Sequence, residues 1–333
     1  MSDSNICPGG MGTAPRTTGR LRSLAISFAS AVFFVLIWSS GYLVGKIGMR
    51  EVAPFTLLWW RFLLAIAVLA IVAIAMRAPW PRGMAWIHLL ITGVLLQTVQ
   101  MAGMYLGMKL GASAGLSALV GSASPLVIAA LAVPMFGERL RKSQWTGLVV
   151  GLLGVVFAVS SELGAGVSIG GLISVSTGLA GFVAGTLYQK RFGTKMDLRT
   201  GITVQLLGAL VTITPFAVTF GGLAIPVRFG TLWPIIWLAL VCSIGGFALL
   251  FVLLRHRGGG SATSYLFLVP PATSLLAIPI LGQPAHLGAL IGTGLAAAGV
   301  ALVAGPQRLD VSGRQADSSR LMGGPSPGAL WRR

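Results

Sequence analysis

Ten apolar stretches, parted by short polar or charged turns, set the rhythm of the chain: about 27–49, 55–76, 84–108, 113–136 and 143–161, then 167–188, 201–220, 231–254, 261–281 and 284–304. Each approaches the ~20 residues with which an α-helix crosses about 30 Å of hydrocarbon. The pattern predicts an all-α polytopic membrane protein of ten transmembrane helices. At either end the pattern stops. Residues 1–24 and 306–333 are rich in Gly, Ser, Pro and Arg and read as disordered tails.

The stretches fall into two sets of five, because the chain repeats itself. A shift of 145 positions lays Pro125 on Pro270, Pro134 on Pro279, Gly137 on Gly282, Gly147 on Gly292 and Gly154 on Gly299. A shift of 144 lays Gly41, Leu43 and Lys46 on Gly185, Leu187 and Lys190. Pro and Gly have backbone consequences that other residues do not reproduce, so their coincidence in one register argues for structurally equivalent halves, 27–161 and 167–304. Five spans per half is an odd number, so the second half enters the bilayer upside down. Inverted repeats belong to secondary transporters, whose site lies at the repeat interface and opens alternately to the two sides.

Charge then orients the chain. With the N-terminus cytoplasmic, the inner side holds Arg16, Arg20, Arg22, Arg77, Arg82, Arg139, Arg141, Lys142, Lys190, Arg191, Lys195, Arg199, Arg255 and Arg257 besides the C-terminal arginines. The outer side holds Lys46, Arg50, Lys109 and Arg228. The asymmetry predicts both termini in the cytoplasm, with Trp59, Trp60, Trp233 and Trp237 near outer ends and Trp80, Trp86 and Trp145 near inner ends as an aromatic belt. The formal charge of +17 is spread over these turns rather than gathered as a phosphate-binding surface, which argues against a nucleic-acid partner. Composition agrees: 55% of residues are apolar and 9% charged, with a mean hydropathy of +0.87. Cys7 and Cys242 offer neither a disulfide framework nor metal spacing. Cys242 reads as a packing residue, and the first span as an uncleaved signal.

The run Trp38-Ser-Ser-Gly-Tyr-Leu-Val-Gly-Lys46 with Pro54 and Arg61, the Ser124-Pro125 pair leading to Phe136-Gly-Glu-Arg139, and Gly147 to Gly154 resemble the EamA domain of the drug/metabolite transporter superfamily. Tyr188-Gln-Lys190, Pro270 to Gly282 and Gly292 to Gly299 match a second such domain. The resemblance covers about 27–304. It implies a bacterial inner-membrane secondary transporter of small metabolites such as amino acids or drugs, commonly an exporter. Where the family pattern has an acid after the glycine of the second hairpin, this chain has Gln283.

Polar groups within the spans are the candidates for substrate binding. Gln97, Gln100, Met101, Met104 and Tyr105 recur at i, i+3, i+4, i+7 and i+8, one face of a regular helix. Amides need partners that lipid does not offer, so this face either binds another helix or lines the substrate path. Trp38, Ser40 and Tyr42 flank Gly41, and Tyr188 and Tyr265 are comparable handles in the second half; each aromatic reads as packing or as cavity lining. Arg61 either snorkels outward or pairs with Glu51, or it attracts a substrate carboxylate. Glu138 reads foremost as a cap for the fifth span, and Gly258-Gly-Gly260 as a plain turn.

All seven carboxylates (Asp3, Glu51, Glu138, Glu162, Asp197, Asp310 and Asp317) fall in loops or tails, so a proton relay through a core acid is not expected. His88, His256 and His286 lie near membrane boundaries. No cofactor and no metal are implied. The rival readings are a polytopic membrane enzyme, which wants the paired acids, His clusters or activated nucleophile that the spans lack, and a passive channel or scaffold. The expected partners are a small-molecule substrate and the lipid bilayer. Substrate identity, direction, coupling ion and oligomeric state stay open.

Overall fold

The computed structural model describes residues 17–137, 140–164, 167–192, 197–246, 249, 268–283 and 287–304. Tyr265, Glu138, Arg139, His256, His286 and the glycines 258–260 lie outside the described residues. Among those described the regular structure is all helical: α1 (Thr17–Gly48), α2 (Pro54–Ala75), α3 (Met84–Gly93), α4 (Gln100–Lys109), α5 (Ala114–Ser122), α6 (Ser124–Phe136), α7 (Lys142–Gly164), α8 (Ile169–Phe192), α9 (Leu198–Phe220), α10 (Phe229–Ile236), α11 (Val269–Leu281) and α12 (Leu287–Ala304). Two π turns, Val94–Val99 and Trp237–Gly245, continue α3 into α4 and extend α10. Six described helices are long and apolar enough to cross a membrane, and four further apolar helices have 10–17 residues.

Several elements depart from regular spans. The stretch 113–136 is two helices hinged at Ala123, whose far half starts on Pro125. α1 begins at Thr17, upstream of the expected span, and α7 carries Glu162 in its last turn. α6 and α11 are each 13 residues long, with Pro near the start, Pro134 or Pro279 inside, and a left-handed glycine as C-cap, Gly137 at φ +67° and Gly282 at φ +65°. Only glycine takes that conformation without a Cβ penalty, which is why both hairpins stop there. The two π turns also correspond, since Val94–Val99 moved by 145 positions falls at 239–244, inside Trp237–Gly245.

Matched helices meet one another antiparallel. A Cβ on Gly154 would come within 2.7 Å of the Gly292 carbonyl, and one on Gly299 within 2.5 Å of the Gly147 carbonyl, so α7 and α12 touch backbone to backbone. Small residues permit this approach, and dispersion and weak contacts then hold helices that gain no hydrophobic free energy in lipid. α2 and α9 are paired likewise. Thr56 donates to the Gly222 carbonyl, Trp59 to Thr214, and at the far end Arg199 approaches Met76. The main buried core gathers around Leu57, Leu58, Phe62, Met104, Leu206, Ile213 and Leu238.

Candidate functional site

The middle of α1 has helices on every side, and its sequence shows why. Consecutive residues of a helix point about 100° apart, so a polar run such as Ser39-Ser40-Gly41-Tyr42 addresses four neighbours. Ser39, fully buried, donates to the Val269 carbonyl at the start of α11. Ser40 donates to the Ile37 carbonyl at 2.7 Å and accepts the Trp237 indole N–H at 2.9 Å. The Gly41 carbonyl accepts the Tyr105 hydroxyl of α4 at 3.2 Å. The Tyr42 hydroxyl reaches α5, where a Cβ on Gly121 would come within 2.9 Å of it. Trp38 leans on Phe34, their centroids 5.3 Å apart, and faces Gly246.

Arg61 of α2 joins this group. It is 5% exposed, so it does not snorkel to the surface. Its Nε donates to Ser243 Oγ at 3.1 Å, and one terminal nitrogen donates to the Tyr105 hydroxyl at 3.1 Å and approaches Met101 Sδ at 3.7 Å. All of these partners are neutral. The expected alternative of a pair with Glu51 is not formed, because Glu51 is taken by Arg228. A cation withdrawn from water is costly unless an anion or a full set of acceptors compensates it, and a hydroxyl bonded by its oxygen is a weak substitute.

The π turn Trp237–Gly245 sets Ser243. Its hydroxyl donates to the Leu238 carbonyl five residues back at 3.0 Å, leaving the oxygen to accept from Arg61. π-helical segments recur at functional positions within helices. The first π turn has the opposite effect on the expected stripe from Gln97 to Tyr105. It places Gln97 in a wider turn than the regular helix that carries Gln100, Met101, Met104 and Tyr105, so the constant spacing of a regular helix does not hold across the five residues. Neither glutamine makes a side-chain hydrogen bond among the described residues, although Gln97 is 6% exposed.

The structure therefore brings Trp38, Ser40, Tyr42, Arg61 and Tyr105 together and separates Tyr188 from them. Tyr188 pairs with His88, its hydroxyl 2.8 Å from Nδ1, and Phe192 stacks on the His88 ring at 5.1 Å. Gly171 lies against Gly107 and Gly178 against Gln100, which puts Tyr188 roughly 20 Å from the level of Tyr105 at 1.5 Å per residue. Tyr188 belongs to the expected inner end of the bundle. Sequence reasoning missed Ser243 and Trp237, and read Cys242 as packing. Cys242 Sγ is 3.5 Å from Ser40 Oγ, beside Gly41. The repeat held a clue, since Ser243 is Thr98 moved by 145 positions, a hydroxyl inside each π turn.

Comparison with known proteins adds the family context. Residues 25–160 match the EamA-like transporter family. A probable amino-acid metabolite efflux pump of Salmonella typhimurium is 25% identical over 85% of this chain and 94% of its own length. The Escherichia coli pump of the same description is 27% identical over 80% of this chain and 92% of its own. An inner membrane transporter of Escherichia coli, YedA, is 26% identical over 79% of this chain and 86% of its own. A solved crystal structure covers 88% of this chain and 99% of its own with a TM-score of 0.58 at 19% identity, which speaks to fold alone.

Proposed function

We propose that this chain, whose residues 25–160 match the EamA-like transporter family, is an inner-membrane secondary exporter of small metabolites bearing a carboxylate, amino acids foremost. Arg61 carries the proposal: a buried guanidinium at the centre of the bundle, held by a serine, a tyrosine and a methionine, with every described carboxylate elsewhere. A substrate carboxylate supplies the missing charge, and Ser40, Tyr42, Tyr105 and Trp38 supply hydroxyls and ring faces around it. Gln97 and Gln100 border the same path. The description of two relatives as amino-acid metabolite efflux pumps supports this substrate class.

The transport cycle is alternating access between two inverted five-helix halves, ten spans in all, with both termini cytoplasmic. Support comes from the matched helices. α7 and α12 are equivalents by sequence and run antiparallel in contact, as α2 and α9 do. Equivalent helices that meet head to tail are related by an axis across their length, which for membrane helices lies in the bilayer plane. The test is transport in proteoliposomes of an amino acid against its amide. Arg61→Gln raises the half-saturating concentration for the carboxylate about tenfold or more, the value of a charge-assisted hydrogen bond, and leaves the amide nearly unchanged. Equal losses for both would refute a carboxylate site.

A further inference from the structure

A cavity elsewhere in the molecule shares no residue with the Arg61 cluster. It measures about 630 Å³ and lies between the α1–α2 turn (Arg50, Glu51), the start of α2 (Phe55), the end of α4 (Lys109) and the last turns of α9 (Phe216, Phe220). That volume falls in the ~300–1,000 Å³ range of pockets that hold organic ligands. Its two walls differ in chemistry. On one side Phe55 touches Phe216 and Phe220 with centroids 5.7 and 6.0 Å apart, and the outer two rings are 48% and 66% exposed. On a membrane helix, exposed rings meet acyl chains.

The other wall is charged. Glu51 spends its carboxylate on Arg228, so it does not neutralise its neighbours. Arg50 and Lys109 are exposed, and neither side chain has an ion-pair or hydrogen-bond partner among the described residues. Both stand where a helix ends, Arg50 just past α1 and Lys109 as the last residue of α4. This is the depth of lipid headgroups for a helix that spans the hydrocarbon. Two solvated cations alone would be unremarkable there. Two cations on the rim of a cavity whose other wall is aromatic and faces the bilayer match a molecule with a phosphate at one end and a chain at the other.

We propose that this cavity is a binding site for an anionic phospholipid, its phosphate held by Arg50 and Lys109 and its acyl chain laid over Phe55, Phe216 and Phe220. A free phosphate would use the cations and leave the aromatic wall idle. The proposal needs only that the helices cross a bilayer, and it stands or falls apart from the carboxylate reading of Arg61.

The experiment uses the purified full-length chain, with bound lipid counted by native mass spectrometry after exchange against phosphatidylglycerol or phosphatidylcholine. The wild type retains phosphatidylglycerol in preference. Removing a basic residue near an anionic lipid surface costs about fivefold, so Arg50→Gln with Lys109→Gln erodes the preference by roughly 25-fold on the same basis. Lys109→Gln alone, at an exposed position, gives about fivefold and serves if the double variant does not fold. Phe216→Ala weakens retention of long-chain but not dihexanoyl phosphatidylglycerol. Unchanged preference in the charge variants overturns the site. Displacement of the lipid by millimolar inorganic phosphate also overturns it, since the cavity would then read phosphate alone.

Discussion

Arg61 and its surroundings behave as one unit because each contact constrains the next. Tyr105 accepts from Arg61 and donates to Gly41, so its hydroxyl is fixed from both sides. Its ring fits only because residue 45 is glycine: a Cβ there would come within 2.7 Å of the ring. Gly45→Ala is expected to push Tyr105 out of place, costing about 1–3 kcal/mol as overpacking does and lowering transport. Thermal unfolding in detergent and initial uptake rates measure the two effects. Tyr105→Phe keeps the ring but leaves a buried Arg61 N–H without its acceptor, so it too is expected to cost about 1–3 kcal/mol while raising the half-saturating concentration of a carboxylate substrate. If both variants lose stability equally and neither alters substrate affinity, the tyrosine is helix packing and no more.

At the scale of elements, the π turns and caps decide where these side chains stand. Ser243 reaches Arg61 from a turn whose hydroxyl also satisfies the Leu238 carbonyl. Ser243→Ala leaves the Arg61 Nε without its acceptor, so a loss of about 1–3 kcal/mol is expected for a buried donor left unpaired, read as a fall in unfolding temperature that a bound carboxylate substrate partly restores. The start of α9 is governed by Asp197, which accepts from the Arg199 backbone N–H at 2.9 Å and binds the Arg199 side chain. The hydrogen bonds from Arg199 hold the Asp197 carboxyl below its ordinary range. A carboxylate with a depressed folded value stabilises fully above the unfolded value of about 3.9 and loses that contribution as pH falls through the folded one. Asp197→Ala should therefore cost about 1 kcal/mol at pH 7, as lost N-caps do, and the difference from wild type should vanish at strongly acidic pH. A gap that persists there would point to packing rather than charge.

For the whole molecule, the test is topological. Single cysteines at Thr194 and His286, in a background lacking Cys7 and Cys242, are exposed to an impermeant thiol reagent on intact cells. Labelling at 286 and protection at 194 is the expected result, and the reverse would end the inverted-repeat reading. Energy coupling belongs to this scale too. Arg61 lacks a carboxylate partner among the described residues, so the central cluster offers no acid to shuttle a proton, and substrate flux should respond to a pH step only as far as substrate protonation changes. His88, bonded to Tyr188 and stacked on Phe192, is the candidate relay among the described residues, and His256 and His286 are the other histidines of the sequence. Uphill accumulation of a non-titrating substrate under that step, abolished by His88→Gln, would identify the histidine as the relay.

Length and apolarity of the stretches, the bias of Lys and Arg among the turns, and the register of Pro125, Pro134 and Gly137 against Pro270, Pro279 and Gly282 were all readable from sequence. Those features act locally: a proline or a left-handed glycine ends a helix wherever the chain goes, and hydrocarbon demands helices of a given length. The membrane character and the two matching hairpins follow from them. What tertiary structure decided is which partners some of the polar residues meet. Arg61 had Glu51 and the surface as alternatives, and only the position of Arg228, 177 residues from Glu51, removed the first of them. Tyr188 and Tyr105 are alike as residues, yet the antiparallel run of α8 against α3 and α4 sets them at different depths. The spacing from Gln97 to Tyr105 assumed a constant turn, whereas the π turn within it is met by contacts from another helix, such as Thr98 against Thr212 of α9. Partners distant in sequence carry no local signal, so the assembly of Ser243, Trp237 and Tyr105 around Arg61 and Ser40 was not legible in the chain.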